Sequence, residues 1–391
     1  MNQPSKFDHF DTPCWLLDPD IVVENYRYFS TLFENAIVAY AVKSNPHPIF
    51  LSRLSKAGAH FCVVSTSHLQ QLLALNINPQ EIVYSHPIKS LNQIEFALQA
   101  GVRCFACDSP AEVDKIACFG IPAEIFIRLD VDNTGSMVPL SGKFGVAPDI
   151  ALELMHRGAQ RGLKPIGFTF HVGSQCLRMK SWDGAIETVG SVWEQARKAF
   201  HVDFIDIGGG FAVPYPGIPA FHQEDISALI YRDIECYLPG VRRIVLEPGR
   251  AISATAGALL VSVIGIAERP DGNIWLYIDA GIFSGLFEIL DNFRYPVSVI
   301  PAPENSARRA FLQAIRQQNP SRPDSNGQYT YVLGGQTCDS TDKLFDFSVP
   351  KPIAIGDRLL LKNTGAYGYS LESRFNGYEL PSVEILSLEG L

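Results

Sequence analysis

No run of about eighteen consecutive apolar residues occurs in this chain, so no segment is expected to cross a bilayer as a helix. Basic residues are outnumbered: 32 Lys and Arg stand against 41 Asp and Glu, a formal net charge of −9. That balance leaves no surplus of cations to displace counterions from a phosphate backbone, and no nucleic-acid partner is expected. The opening stretch MNQPSKFDHFD is polar and lacks the apolar centre of a secretory signal, which points to the cytoplasm. Cysteine is sparse and scattered, eight in 391 residues, with Cys62, Cys104 and Cys107 inside apolar runs. Reduced thiols are the expectation for a chain of this length. CFAC at 104–107 has no second C-x-x-C to pair with, and in a strand its two cysteines face opposite sides, so no metal site is expected.

What is present is a core: 47% of the residues are hydrophobic, enough for one large domain and a smaller one. Eight short β-rich runs recur: AIVAYAVK (36–43), HFCVVS (60–65), EIVYS (81–85), RCFACD (103–108), EIFIRLD (124–130), GFTFHVG (167–173), FIDIGGG (204–210) and RIVLEPG (243–249). Between them lie stretches such as HPIFLSRLSKAGA and LNQIEFALQAG, with apolar residues three and four apart. DSPAEVDKIACFG opens on a helix-start signal, Ser109 followed by proline and, three residues on, Glu112. Eightfold strand–helix alternation predicts an α/β fold, a (β/α)8 TIM-like barrel, over 29–262. Beyond it NIWLYIDAG, YTYVLGG, DRLLLKN and SVEILSL read as strands with few helices between, a β-rich domain over 263–391. Residues 1–28 join it through the strand TPCWLLD, and the polar segment 301–327 reads as a surface insertion.

Barrels of this kind gather their chemistry at the C-terminal ends of the strands. Here those ends carry Lys43, Ser65, Ser85, Asp108, Arg128, His171, Gly208–Gly210, Glu247 and Arg250. Lys43 is the oddity, a lysine closing a run that reads as buried, where its charge is costly to desolvate. The three glycines after a strand can wrap an anion with backbone N–H groups, although they lack the G-x-G-x-x-G spacing of a dinucleotide site. EPGR follows the eighth strand, where such barrels commonly hold phosphate, and Arg250 offers a cationic fork for it. A phosphate site, an amine and an acid together suit pyridoxal 5′-phosphate (PLP): the lysine can hold its aldehyde as an imine, and Glu247 can face its ring nitrogen.

YAVKSNP, HVGSQ, DIGGGF, EPGR, GGQTCDSTD and GAYGYS…RFNGY resemble, in order and spacing, the motifs of the fold type III PLP-dependent decarboxylases of basic amino acids. That group includes ornithine, lysine, diaminopimelate and arginine decarboxylases, and the resemblance spans nearly the whole chain. It implies an alanine-racemase-like barrel followed by a β-rich domain. It implies Lys43 as the lysine that carries PLP, His171 stacked on the ring, and Glu247 on the ring nitrogen. Ser174, Gly208, Gly209, Gly210, Gly249, Arg250 and Tyr367 resemble the phosphate cradle, with Arg128 near the acid and the phosphate side. Cys338 resembles the residue that helps protonate the product carbanion, and Asp339 a ligand of the substrate amine. In the family these two reach into a neighbour's site, which implies a homodimer with shared active sites. One departure stands out: many members carry aspartate in an F-D-x-x-S pattern where this chain has Cys62.

YIDAGIFSGLFEILDNFRYP resembles the ornithine/lysine branch, in which an aspartate, here Asp291, holds the distal amine. Asp291 and Asp339 imply L-ornithine, giving putrescine for polyamine biosynthesis, ahead of L-lysine, giving cadaverine. Decarboxylation of diaminopimelate or of a siderophore or polyamine intermediate is the alternative, and a non-catalytic regulatory homologue a further one. A racemase of similar fold would want an arginine, not Glu247, on the ring nitrogen.

Overall fold

The computed structural model describes residues 7, 9–302 and 319–389. Residues 303–318, most of the expected surface insertion, lie outside the described residues. Eight parallel strands form a closed barrel: β1 (Ile37–Ala41), β2 (His60–Val63), β3 (Ile82–Tyr84), β4 (Cys104–Cys107), β5 (Glu124–Arg128), β6 (Lys164–Thr169), β7 (Phe204–Asp206) and β8 (Arg243–Leu246). β8 returns to β1 through Val245 paired with Ile37 and Leu246 with Val38. Helices intervene as the 3.6-residue periodicity predicts, Pro48–Lys56 and Leu91–Ala100 among them. Leu91–Ala100 starts from a complete capping box, Ser90 with Gln93. At Ser109 the hydroxyl caps as expected, accepting the Glu112 N–H at 3.3 Å. The Glu112 carboxylate does not turn back to complete a box. It is drawn instead to Lys89, whose Nζ lies 3.4 Å away with both side chains buried. A buried ammonium needs a counter-charge more than a helix start needs its second bond.

One residue from every strand (Ala39, Cys62, Val83, Ala106, Phe126, Ile166, Phe204 and Val245) forms a single apolar layer inside the barrel. Because side chains alternate along a strand, the residues two positions beyond these face the same interior. On five strands those residues are Ser85, Asp108, Arg128, Asp206 and Glu247. The apolar layer is thus a floor, and the polar residues stand on it.

β6 runs over 164–169 rather than 167–173. The chain leaves the strand early and turns back, so that Ser174–Cys176 pairs with Ser136–Val138 in a small antiparallel ribbon. Gly173 makes that return possible: its φ is +91°, and a Cβ there would fall 2.0 Å from Ser136 Oγ.

The chain divides into two compact units. The barrel unit comprises Asp20–Pro214 and Ile218–Ser253; the second comprises the residues before Asp20, Tyr215–Gly217 and Ala254 onward. The limits read from sequence, 29 and 262, fall inside elements. Helix Pro19–Leu32 packs on the barrel, with Phe29 edge-on to Phe211 at 5.1 Å. Strand Gly257–Glu268 belongs to the second unit's sheet, pairing with Cys14–Leu17, Arg358–Lys362 and Ile274–Ile278. Tyr329–Gly334, Lys343–Val349, Val297–Ile300 and Ser382–Ile385 complete that eight-stranded sheet over a core of Cys14, Leu16, Ala258, Leu260 and Leu360. Among the described residues no helix is long and apolar enough to cross a membrane.

Candidate active site

A cavity of about 440 Å³ opens at the C-terminal ends of the barrel strands, lined among others by Lys43, Cys62, Ser85, His86, Arg128, Phe144, His171 and Glu247. The volume lies in the range of small-molecule and cofactor sites. β1 ends at Ala41, and Lys43 sits in the following 3-10 turn, Val42–Ser44. It is therefore half-buried at the cavity and not sealed in the core, which reduces the desolvation cost that its sequence context suggested.

Glu247 follows β8 and is held at both backbone and side chain. Its N–H donates to the Gly208 carbonyl at 2.8 Å, and one carboxylate oxygen accepts the Ser85 hydroxyl. Cys62 lies beside Ser85 and Glu247, where burial, and then the Glu247 charge, push its thiol well above the ordinary range. A neutral thiol thus occupies the place where many family members carry an aspartate, and the contact to Glu247 comes from Ser85.

His171 is driven well below its ordinary value by burial and by the charges of Lys43 and Arg128. Its Nδ1 accepts the Gly173 N–H at 3.0 Å, which makes the neutral ring the Nε2–H tautomer. Arg128 lies over the Phe144 ring at 5.3 Å, with Glu247, Asp108 and Asp206 as its nearest acids. His86 meets Phe144 edge-on at 5.3 Å. Its pKa is pushed down to about 4 by burial and then by Lys89, Lys43 and Arg128.

The glycine run is a tight backbone cradle. A Cβ on Gly209 would lie 2.6 Å from the Glu247 carbonyl oxygen, one on Gly208 2.4 Å from that of Phe170, and one on Gly249 2.9 Å from Ser44 Cβ. Buried Arg250 donates to Ser174 Oγ at 3.1 Å, joining two residues expected on the phosphate.

The remaining expected residues belong to the second unit. Cys338 is exposed, and its N–H donates to Asn376 Oδ1 at 3.1 Å. The Asp339 carboxylate accepts the N–H and hydroxyl of Thr341, at 2.9 and 2.7 Å, which holds it below the usual carboxylate range. Buried Asp342 fixes their loop by accepting from Thr337 and from the Ile282 N–H. Asp291 ends the 3-10 turn Phe287–Asp291, and Tyr367 adopts a left-handed φ of +56°.

Residues 20–254 match the family model of the pyridoxal-dependent decarboxylases, pyridoxal binding domain, and so span the barrel unit. The chain belongs to this family. It is 32% identical over 378 residues to the lysine/ornithine decarboxylase of Selenomonas ruminantium, covering 94% of this chain and 88% of that one. The crystal structure of SrLDC in complex with PLP and cadaverine superposes with a TM-score of 0.83 at 30% identity, covering 98% of this chain and 94% of that one. That of lysine/ornithine decarboxylase from Vibrio vulnificus, complexed with putrescine, does so at 0.83 and 28%, covering 97% and 96%. The enzyme is a PLP-dependent amino-acid decarboxylase, and its residues fit the cofactor. The glycines pack backbone against backbone too closely for any side chain, an arginine and a serine adjoin each other, and an amine and a carboxylate share one cavity.

The sequence reading passed over several residues here. Asp206 stands in DIGGG beside the glycines that drew attention, and counting by twos from Phe204 would have placed it inside the barrel. Lys89 looks like a solvated loop charge, yet its Nζ donates to the carbonyls of His86, Pro87 and Ala106 at 2.9, 3.2 and 2.7 Å, securing the loop that carries Ser85 and His86.

Proposed function

We propose that the enzyme decarboxylates L-ornithine to putrescine in polyamine biosynthesis, and L-lysine to cadaverine less efficiently. The observation that carries the mechanistic part is Glu247 in the same cavity as Lys43. Bound there, PLP supplies an electron sink for the charge left on the α-carbon when CO2 departs. Lys43 holds the cofactor covalently. Glu247, oriented by Ser85, would partner the cofactor's ring nitrogen, and the neutral His171 ring would pack against the cofactor. Gly208, Gly209, Gly210, Gly249, Ser174, Arg250 and Tyr367 hold the phosphate, with Arg128 between that side and Glu247. Cys338 supplies a proton to the product carbon, and Asp339 and Asp291 bind the distal ammonium. The named ligands of similar proteins, putrescine and cadaverine, support the substrate class.

Cys338 and Asp339 serve the site of a second copy in a homodimer. An apolar surface on the second unit supports this. Phe287, Leu290, Leu371, Phe375 and Tyr378 are all more than a third exposed. The last two flank Asn376, the partner of Cys338, and the Tyr378 hydroxyl donates to the Gln336 carbonyl. Exposed apolar side chains of this kind are common where copies meet. Eight unpaired thiols agree with a cytoplasmic site of action.

CO2 release from L-ornithine, L-lysine, L-arginine and diaminopimelate, measured with added PLP, tests the substrate. Ornithine should give the highest kcat/KM, and preference for diaminopimelate or release from none would refute the proposal. Glu247→Gln tests the electron sink. It should retain PLP and lose most of the turnover, on the order of 100-fold or more, because a neutral amide does not hold the ring nitrogen charged. Unchanged kcat would remove Glu247 from that role.

A further inference from the structure

Asp206 is fully buried, with none of its surface exposed, inside the barrel at the end of β7. Phe204 belongs to the apolar floor, so Asp206 points the same way, one storey higher. The strand register sets it beside Thr169, and Thr169 beside Arg128. One oxygen, Oδ1, accepts the Gly208 N–H at 2.9 Å. The other, Oδ2, is buried without a hydrogen-bond partner among the described residues. Glu247 lies two residues beyond Val245, the cross-strand partner of Asp206, and it and the Thr169 hydroxyl both act on the Asp206 carboxyl group.

Two carboxyl groups therefore meet in one water-poor interior. The other charged or titratable groups around the pair include Arg128, Lys43, Asp108, His171 and the thiols of Cys62 and Cys104. The Arg128 guanidinium serves Asp108 as well, and the Glu247 charge disfavours a second buried anion at Asp206. Glu247 reaches the cavity, whereas Asp206 is sealed away from it. Burial and the Glu247 charge both push Asp206 well above the usual carboxylate range.

We infer that Asp206 is a positioning residue for Glu247: it stands as a neutral carboxylic acid whose Oδ2 proton turns toward the Glu247 carboxyl group and orients it. Oδ1 takes a backbone donor and Oδ2 holds the proton, so neither oxygen is left as a buried anion. The consequence for Glu247 rests on its proposed place at the ring nitrogen.

Infrared spectroscopy of the purified holoenzyme at neutral pH tests the inference without reference to turnover. A carbonyl stretch of a protonated carboxylic acid, shifted in D2O, should be present in the wild type and absent from Asp206→Asn. Glu372 is a second candidate for such a band, since burial raises its pKa to about 7, and Glu372→Gln should leave the Asp206 band in place. Asparagine also keeps an acceptor for Gly208 and a neutral donor for Glu247. PLP affinity in Asp206→Asn should therefore stay within about three-fold of wild type, while Asp206→Leu, which leaves Glu247 without its donor, should bind roughly ten-fold or more weakly. If Asp206→Leu does not fold, the infrared comparison of wild type with Asp206→Asn still decides. A band that persists in Asp206→Asn and vanishes in Glu247→Gln would put the proton on the wrong acid and overturn the inference. So would affinity in Asp206→Asn falling ten-fold. Unchanged kcat in Glu247→Gln with the Asp206 band intact would instead overturn the role of Glu247 and leave the neutral acid standing.

Discussion

Lys43→Ala yields a protein without the visible absorption band of PLP held on an enzyme amine, and without measurable turnover. The expected fall in kcat/KM is on the order of 1,000-fold or more, the range that holding a reacting group in place can supply. The variant should nevertheless melt close to the wild type. Lys43 is half-buried at the cavity and is not part of the apolar layer, so its loss opens no hole there. Lys43→Arg separates charge from chemistry: it keeps the cation and should be as inactive as alanine, because a guanidinium does not form the covalent link. A wild-type protein that stays colourless with added PLP would sink the assignment of Lys43, as would a Lys43→Ala protein that keeps both the band and the turnover.

Two inactive variants should restore each other. Lys43→Ala damages the barrel unit, and Cys338→Ala damages an exposed loop of the other unit. If each site draws on both copies, a mixed dimer holds one site with both lesions and one with neither. Random exchange makes half of the dimers mixed, so about a quarter of wild-type activity should return, as two-fold symmetry requires. Cys338→Ala must first be shown to be strongly impaired by itself. The readout is CO2 release after co-refolding, or after prolonged mixing with exchange verified by tagged copies. No activity above the parents, with exchange demonstrated, would mean that each site is built within one chain.

The eight barrel strands were legible because a parallel sheet covered on both faces reads as short apolar runs, and each observed strand overlaps the run that announced it. Their ends were not legible. Runs such as GFTFHVG and AIVAYAVK continue in β-forming residues past the last ladder bond, since the turns that carry His171 and Lys43 are themselves packed. Gly257–Glu268 was cut at 262 because its glycine and alanine content weakens the strand signal, although it is the longest strand of the second sheet. Within Lys343–Val349 the stretch 345–349 alternates apolar and polar side chains and could have been found by period two alone. At the site, the strand-end residues Lys43, Arg128, His171 and Glu247 could be read, because position along the chain maps onto depth in a barrel. Asp206 and Lys89 could not be, since their meaning lies in what surrounds them.

The pairing of β8 with β1 has a consequence during synthesis. Ile37 meets Val245 and Val38 meets Leu246 across some 200 residues of chain, so the barrel cannot close until its eighth strand has left the ribosome. Until then β1 presents a hydrogen-bonding edge made of Ile37, Val38, Ala39, Tyr40 and Ala41, with no charged residue to discourage another strand. Cys14–Leu17 waits longer still, first for Gly257–Leu260 and then for Ser382–Ile385. The nascent chain therefore carries one open edge of β1, and Cys14–Leu17 unpaired, through most of translation, and its yield in a cell depends on how well those edges are shielded as much as on the stability of the finished fold.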